Sequence, residues 1–152
     1  MKKDLNYFLR ENKPEIVEIE APPTIKDENG KPVMMQVRVL TQEEIDKIFD
    51  MYTSKRPERD KKRNPLVVNG EVAMRKDRDA SRAVRHLVAE ALVHPDLHSE
   101  DVQNFFKCYE LSELIYKMFP APSEYQYVVN SVLEILGLTD DTDDDDVENA
   151  KN

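Results

Sequence analysis

The stretch VMMQVRVLTQEEIDKIFDMY, Val33–Tyr52, holds two periodicities back to back. Over its first part Val33, Met35, Val37 and Val39 alternate with Met34, Gln36 and Arg38, the period of two that a half-buried strand requires. From Thr41 the period lengthens. Ile45, Ile48, Phe49 and Tyr52 fall at i, i+3, i+4 and i+7, one face of a helix. Thr41 and Glu44 stand at capping-box spacing, so the change from strand to helix is expected at Thr41. A strand that leads directly into an amphipathic helix points to the α+β class.

Upstream, EIVEIEA alternates Val17 and Ile19 with Glu18 and Glu20. Between the two strands, Asn29-Gly30 offers the positive φ of a tight turn. Residues 15–40 are therefore expected to form a β-hairpin, with Pro22 and Pro23 ending its first strand. At the start of the chain Asp4 can cap a short helix over residues 5–10, with Leu5, Phe8 and Leu9 on one side. Helices under ~12 residues are marginal alone, so this one must dock on its own body or on a second copy.

Downstream the pattern is helical. In ASRAVRHLVAEALVH, Ala80, Ala83, Val84, Leu87, Val88, Ala91 and Leu92 repeat at spacings of three and four until Pro95. Ser99 is placed to cap the next helix, with Val102, Phe105, Phe106 and Tyr109 inward. Leu111, Leu114, Ile115, Met118 and Phe119 define a new face after a break near residues 110–112, with Ser112 as its candidate cap. A last helix opens at Pro122 or Ser123, buries Tyr125, Val128, Val129, Val132 and Leu136, and closes at Gly137. Two segments interrupt this series. SKRPERDKKRN, residues 54–64, carries six basic and two acidic residues and reads as a solvated loop. LVVNGEVAM, residues 66–74, reads as a second small hairpin around Asn69-Gly70. The expected architecture is one α+β domain over residues 1–138, a hairpin (15–40) followed by a mainly α-helical bundle (41–138), with a disordered acidic C-terminal tail over 139–152.

Charge separates that tail from the rest. The chain has 152 residues and a formal net charge of −9. Asp140, Asp141, Asp143, Asp144, Asp145, Asp146 and Glu148 stand against Lys151 alone, so −6 lies beyond Leu138 and the body is left at −3. A nearly balanced body argues against a general nucleic-acid binder, which needs net positive charge to displace counterions. Cys108 is the single cysteine, which rules out an intrachain disulfide and fits a reducing compartment. No apolar run reaches signal-peptide or membrane-spanning length.

Residues for chemistry are sparse. Three glycines, Gly30, Gly70 and Gly137, lie too far apart for a phosphate loop or a dinucleotide fingerprint. His94 and His98 are four apart, but Pro95 breaks any helix between them and a third metal ligand is missing. Cys108 sits among Phe105, Phe106 and Tyr109 and reads as a packing residue. The acidic tail has neither the glycine nor the flanking helices of a calcium loop. The basic segment 54–64 has the charge to hold phosphate or an acidic neighbour, including the tail of another copy. No catalytic residue, metal site or cofactor emerges, so function is expected to lie in contacts.

The ordered set LNYFLREN, IKDENGKPVMMQVRVLTQEEIDKI, AVRHLVAEALVHPDL and LSELIYKMFPAPSEYQYVVNSVLEILGL resembles the XkdN-like phage tail assembly chaperones of contractile-tailed phages and prophage elements. The resemblance covers roughly residues 4–138 and passes over 54–80. It implies a non-enzymatic protein of the host bacterial cytoplasm that binds the tape measure protein, is absent from the mature virion, and has tail-tube protein and a frameshifted longer form of itself as further partners. A helical client offers apolar residues at i, i+3, i+4 and i+7. Outward apolar positions left over by the core pattern, Ile16, Met34, Tyr116 and Tyr127, are the candidate contacts. Leu5, Phe8 and Leu9 form a candidate self-association arm, which would make the protein a homo-oligomer. The rival readings are a structural head–tail connector or tail completion protein, and a nucleic-acid-binding regulator acting through residues 54–64.

Overall fold

A computed structural model describes residues 4–138. A 3-10 turn at Leu5–Tyr7 comes first, then strands β1 (Ile16–Glu20) and β2 (Met34–Arg38) and helix α1 (Gln42–Met51). Strands β3 (Thr53–Pro57), β4 (Val67–Val68), β5 (Glu71–Val72) and β6 (Met74–Arg78) follow. The chain closes with helix α2 (Ala80–Ala91), strand β7 (Leu92–His94) and helices α3 (Glu100–Phe106), α4 (Leu111–Met118) and α5 (Pro122–Ile135). The α+β class expected from Val33–Tyr52 holds. The acidic segment read as a disordered tail lies outside the described residues.

The hairpin forms as its alternation requires. β1 and β2 are antiparallel, with Val17 opposite Val37 and Ile19 opposite Met35, so the apolar set faces one way. Met35 and Val37 are buried, while Ile16 and Met34 lie on the exposed side. The turn is organised by Asp27, whose carboxylate accepts from the amides of Asn29 and Lys31. Thr41 then starts α1 with a complete capping box: its hydroxyl accepts from the Glu44 amide, and the Glu44 side chain accepts from the Thr41 amide. Ile45 and Ile48 are buried on the predicted face.

Three expectations are corrected. First, residues 54–64 are not a loop throughout. Their first part lies within β3, which pairs antiparallel with β6 over Thr53↔Arg78 to Pro57↔Met74 and forms a two-stranded ribbon. The small hairpin expected at residues 66–74 sits at the far end of this ribbon. There β4 pairs with β5, and Asn69 and Gly70 both take positive φ, the geometry that matches the strand twist. Second, the helical period of residues 80–94 continues past the helix. At Leu92 the backbone turns extended, and Leu92–His94 joins the free edge of β2 as the third strand, in the order β1-β2-β7. Third, Phe105 and Tyr109 do not point inward. Phe105 is 79% exposed and Tyr109 67%. α3 ends after Phe106 with Lys107 in the left-handed region, which swings the following residues off the expected face.

Smaller differences concern caps and lengths. The N-terminal helix is a single 3-10 turn, capped by Asp4 as expected. Ser99 holds the N-cap position of α3 but makes no side-chain cap bond, and α4 is preceded by Glu110, with Ser112 buried inside it. α5 opens with Pro122 in its first turn, where the missing N–H costs nothing. It closes at Gly137 (φ +74°) with the Gly137 amide donating to the Glu134 carbonyl and the Leu138 amide to that of Leu133. This pair of bonds is the Schellman arrangement, and it satisfies carbonyls that the helix end leaves open.

The core lies between the three-stranded sheet and the helices. α2 is central: it packs on α1, α4 and α5 and runs directly into β7. Leu87, Val88 and Ala91 of α2 meet Met35, Val37, Ile45, Leu114, Ile115, Phe119, Val128 and Val132 in one buried cluster. At about 25 cal/mol per Å² of apolar surface, such burial is the main favourable term for this body.

Candidate functional site

β1 and β7 are the two edges of the sheet. Where β2 begins, a cleft of about 170 Å³ opens, lined by Ala21, Ile25, Val33, Met34, Met35, His94, Pro95, Met118 and Phe119. Its walls come from the hairpin, the end of β7 and the end of α4, so a sequence reading of any one element does not reveal it. A space of ~150 Å³ accepts a benzene-sized group, whereas small-molecule sites run from roughly 300 Å³ upward. The cleft is therefore the size of one apolar side chain rather than of a small-molecule ligand. Three of its residues are methionines, whose flexible thioethers adapt to varied shapes.

The four candidate contacts divide. Met34 lies at the cleft and is 43% exposed. Tyr127, on α5, reaches the same end of the hairpin: its hydroxyl donates to the Glu20 carbonyl at 2.8 Å, and Glu20 pairs with Met34. Ile16 is at the opposite end of β1, exposed and paired with Arg38. Tyr116 belongs to a separate cluster. Its hydroxyl accepts from Arg85 at 2.9 Å, the guanidinium lies over its ring, and Tyr125 stands beside it at 5.3 Å between ring centroids. The structure thus brings Met34 and Tyr127 together and leaves Ile16 and Tyr116 apart from them.

The N-terminal arm is the most exposed apolar segment. Leu5, Tyr7, Phe8 and Leu9 all lie open, Phe8 at 78%. Leu5, Phe8 and Leu9 are therefore not docked on the body of their own chain.

Two polar clusters complete the surface. Arg85 is buried in α2. It donates to the Ser112 carbonyl (3.0 Å), the Ser81 hydroxyl (2.7 Å) and the Tyr116 hydroxyl, with Glu113 at 3.5 Å, and so ties α2 to α4. His86 sits behind Tyr52, whose hydroxyl is 2.6 Å from Nδ1, while Nε2 faces Glu90 at 3.9 Å. Burial pushes its pKa below the ordinary value, with Glu90 opposing that shift and His98 adding to it. His98 also approaches Glu90, at 3.0 Å, while His94 lines the cleft. Among the described residues no group of three or more His, Cys, Asp or Glu is arranged to hold a metal. Cys108 is half-buried, with its thiol near the Glu110 carbonyl. Among the described residues no helix is long and apolar enough to cross a membrane.

The surface of the described residues thus offers an apolar cleft of side-chain size, an open apolar arm and structural polar clusters. The chain belongs to the family of phage XkdN-like tail assembly chaperone proteins, whose model matches residues 5–151. It is 27% identical to the phage-like element PBSX protein XkdN of Bacillus subtilis (strain 168), over 98% of this chain and 94% of that one. It is 24% identical to the protein YqbN of the same strain, over 93% of this chain and 89% of the relative. The crystal structure of the protein YqbN shares the fold, with a TM-score of 0.64 and 19% identity over 90% of this chain and 98% of that chain. The family is one of phage tail assembly, and its role is assembly rather than catalysis.

Proposed function

We propose that this chaperone binds the phage tape measure protein before the tail tube polymerises, covering its apolar stripes while making and breaking no bond. The observation that carries the reading is the cleft around Met34 and Met118. A client helix with apolar residues at i, i+3, i+4 and i+7 seats one side chain there and lays its neighbours over exposed Met34 and the flank of Tyr127. Ile16 and Tyr116 then serve as outlying contacts along the same client. The arm of Leu5, Phe8 and Leu9 joins copies into a homo-oligomer, since an open apolar segment gains most by docking on a neighbour. Tail-tube subunits and a frameshifted longer form of the chain are further partners. The work takes place in the host cytoplasm, and the finished virion lacks the protein.

The test is co-expression with the tape measure protein of the same phage, followed by pull-down. Met34→Glu should sharply lower recovery of the tape measure protein, while Met51→Glu, at an exposed position outside the cleft lining, should not. Equal recovery with both variants would remove the cleft from the mechanism. Mass spectrometry that finds the chain in purified virions would assign it to the particle's structure instead.

A further inference from the structure

The β3–β6 ribbon is a basic projection from an otherwise acidic body. Over residues 53–79 nine basic and five acidic residues leave +4, while the other residues up to Leu138 sum to −7. The ribbon meets the body mainly at its base, where β3 leaves α1, and almost every residue of it is exposed. Its register sets Lys55 opposite Lys76 and Arg56 opposite Arg75, and like charges directly across a ladder destabilise it. Few of its carboxylates answer this charge. Asp60 is spent on the turn amides of Lys62 and Asn64, and Asp79 on capping α2. Among the described residues Asp77 is the one carboxylate paired with the ladder arginines, 3.4 Å from Nε of Arg56 and 3.3 Å from Nε of Arg75. Beside the ladder, Arg56, Pro57, Arg59 and Arg75 line a concavity of about 390 Å³. Arg59 donates to the Arg63 carbonyl at 3.0 Å, a neutral acceptor that fixes the guanidinium without cancelling its charge. Three guanidiniums against one carboxylate leave this hollow with two uncompensated positive charges.

Forked guanidiniums bind carboxylates and phosphates alike, in pairs of parallel hydrogen bonds. Two observations favour the carboxylates of a polypeptide. A nucleic acid long enough to cover the ribbon would run on past a body of −7, which repels it, whereas a short acidic peptide meets the ribbon alone. A two-stranded ribbon also leaves main-chain N–H and C=O groups unpaired along both outer edges. A peptide both donates to and accepts from such an edge, whereas a phosphodiester only accepts. We infer that the concavity of Arg56, Arg59 and Arg75 is a docking site for an acidic, extended segment of a partner polypeptide. The partner's carboxylates supply the charge that Asp77 balances only in part, and they relieve the repulsion across the ladder. The concavity shares no lining residue with the cleft at Met34, so the site stands whichever polypeptide the cleft receives.

The experiment is fluorescence anisotropy of a labelled octaglutamate peptide titrated with the full chain. Binding should weaken severalfold between about 0.05 M and about 0.2 M salt. Arg56→Gln/Arg75→Gln should weaken it roughly tenfold, with cross-strand NMR contacts between Lys55 and Lys76 showing that the ribbon persists. Lys61→Gln/Lys62→Gln removes the same charge from the neighbouring turn, outside the concavity lining, and should weaken binding less than about twofold. At saturating octaglutamate, amide hydrogen exchange over residues 53–57 and 74–78 should slow, because the bound anion stabilises the ladder. The inference is overturned if octaglutamate does not bind, or if exchange in the ribbon is unchanged by it. Equal losses in the two double variants overturn it as well, since bulk charge then suffices. A short DNA duplex bound more tightly than octaglutamate at the same salt overturns it too, and assigns the ribbon to nucleic acid.

Discussion

His86 shows how a single side chain carries both burial and charge. Its Nδ1 shares a 2.6 Å hydrogen bond with the Tyr52 hydroxyl, and its Nε2 faces Glu90. Arg82 lies over the Tyr52 ring, and Arg38, Glu44 and Lys47 line the shallow cleft that His86 and Glu90 share. Because burial lowers the folded-state pKa below 6.5, the unfolded chain takes up the proton first. The stability His86 provides is thus complete above about 6.5 and is lost as pH falls through the lowered folded value. Thermal melts at about pH 7 and about pH 5 should show a larger fall in Tm for the wild type than for His86→Gln. Equal falls would place the pH dependence on the carboxylates. Neither the sign of this shift nor the partners were legible from the sequence. Tyr52 is distant from His86 in the chain and reaches it only once α1 packs on α2.

Among elements, the joint between α2 and α4 rests on Arg85. Sequence periodicity left this position off the apolar stripe, which it is, yet it is buried. Its planar fork reaches a carbonyl and two hydroxyls at once and still stacks on Tyr116. A lysine ammonium has neither the span nor the plane for this. Arg85→Lys should therefore destabilise the fold by about 1–3 kcal/mol in urea denaturation, the cost of leaving the buried Ser112 carbonyl without its donor. A change near zero would mean that water replaces the lost bonds. The ribbon and β7 belong to the same scale. Helix α1 was legible through its cap and stripe, both local signals. The ribbon was not, since basic residues with little strand preference are held by a ladder that only pairing with residues 74–78 supplies.

For the molecule as a whole, the open question of the sequence was where an apolar N-terminal arm docks. Leu5, Phe8 and Leu9 stay exposed against a well-formed core, so the arm is available to a second copy. On the proposed self-association, removing residues 1–12 should leave only monomer in sedimentation, without lowering Tm by more than a degree or two, because the described residues of the arm are all exposed. Wild-type protein that is already monomeric at high concentration would refute this. The candidate cleft also exists only at this scale, since its walls come from three parts of the chain.

By itself the sequence determined the local devices: the alternation that makes β1 and β2, the capping box at Thr41, the stripes of α2 and α5, and the closure at Gly137. Each depends on neighbours a few residues away, which the order of residues fixes directly. The tertiary structure alone decided that Leu92–His94 leaves its helical period to become a strand, that Phe105 faces outward, and that Met34 and Met118 line one cleft. Those outcomes depend on which hydrogen-bonding edge and which apolar surface lie within reach after the chain has folded, and long-range packing outweighs a residue's local preference there.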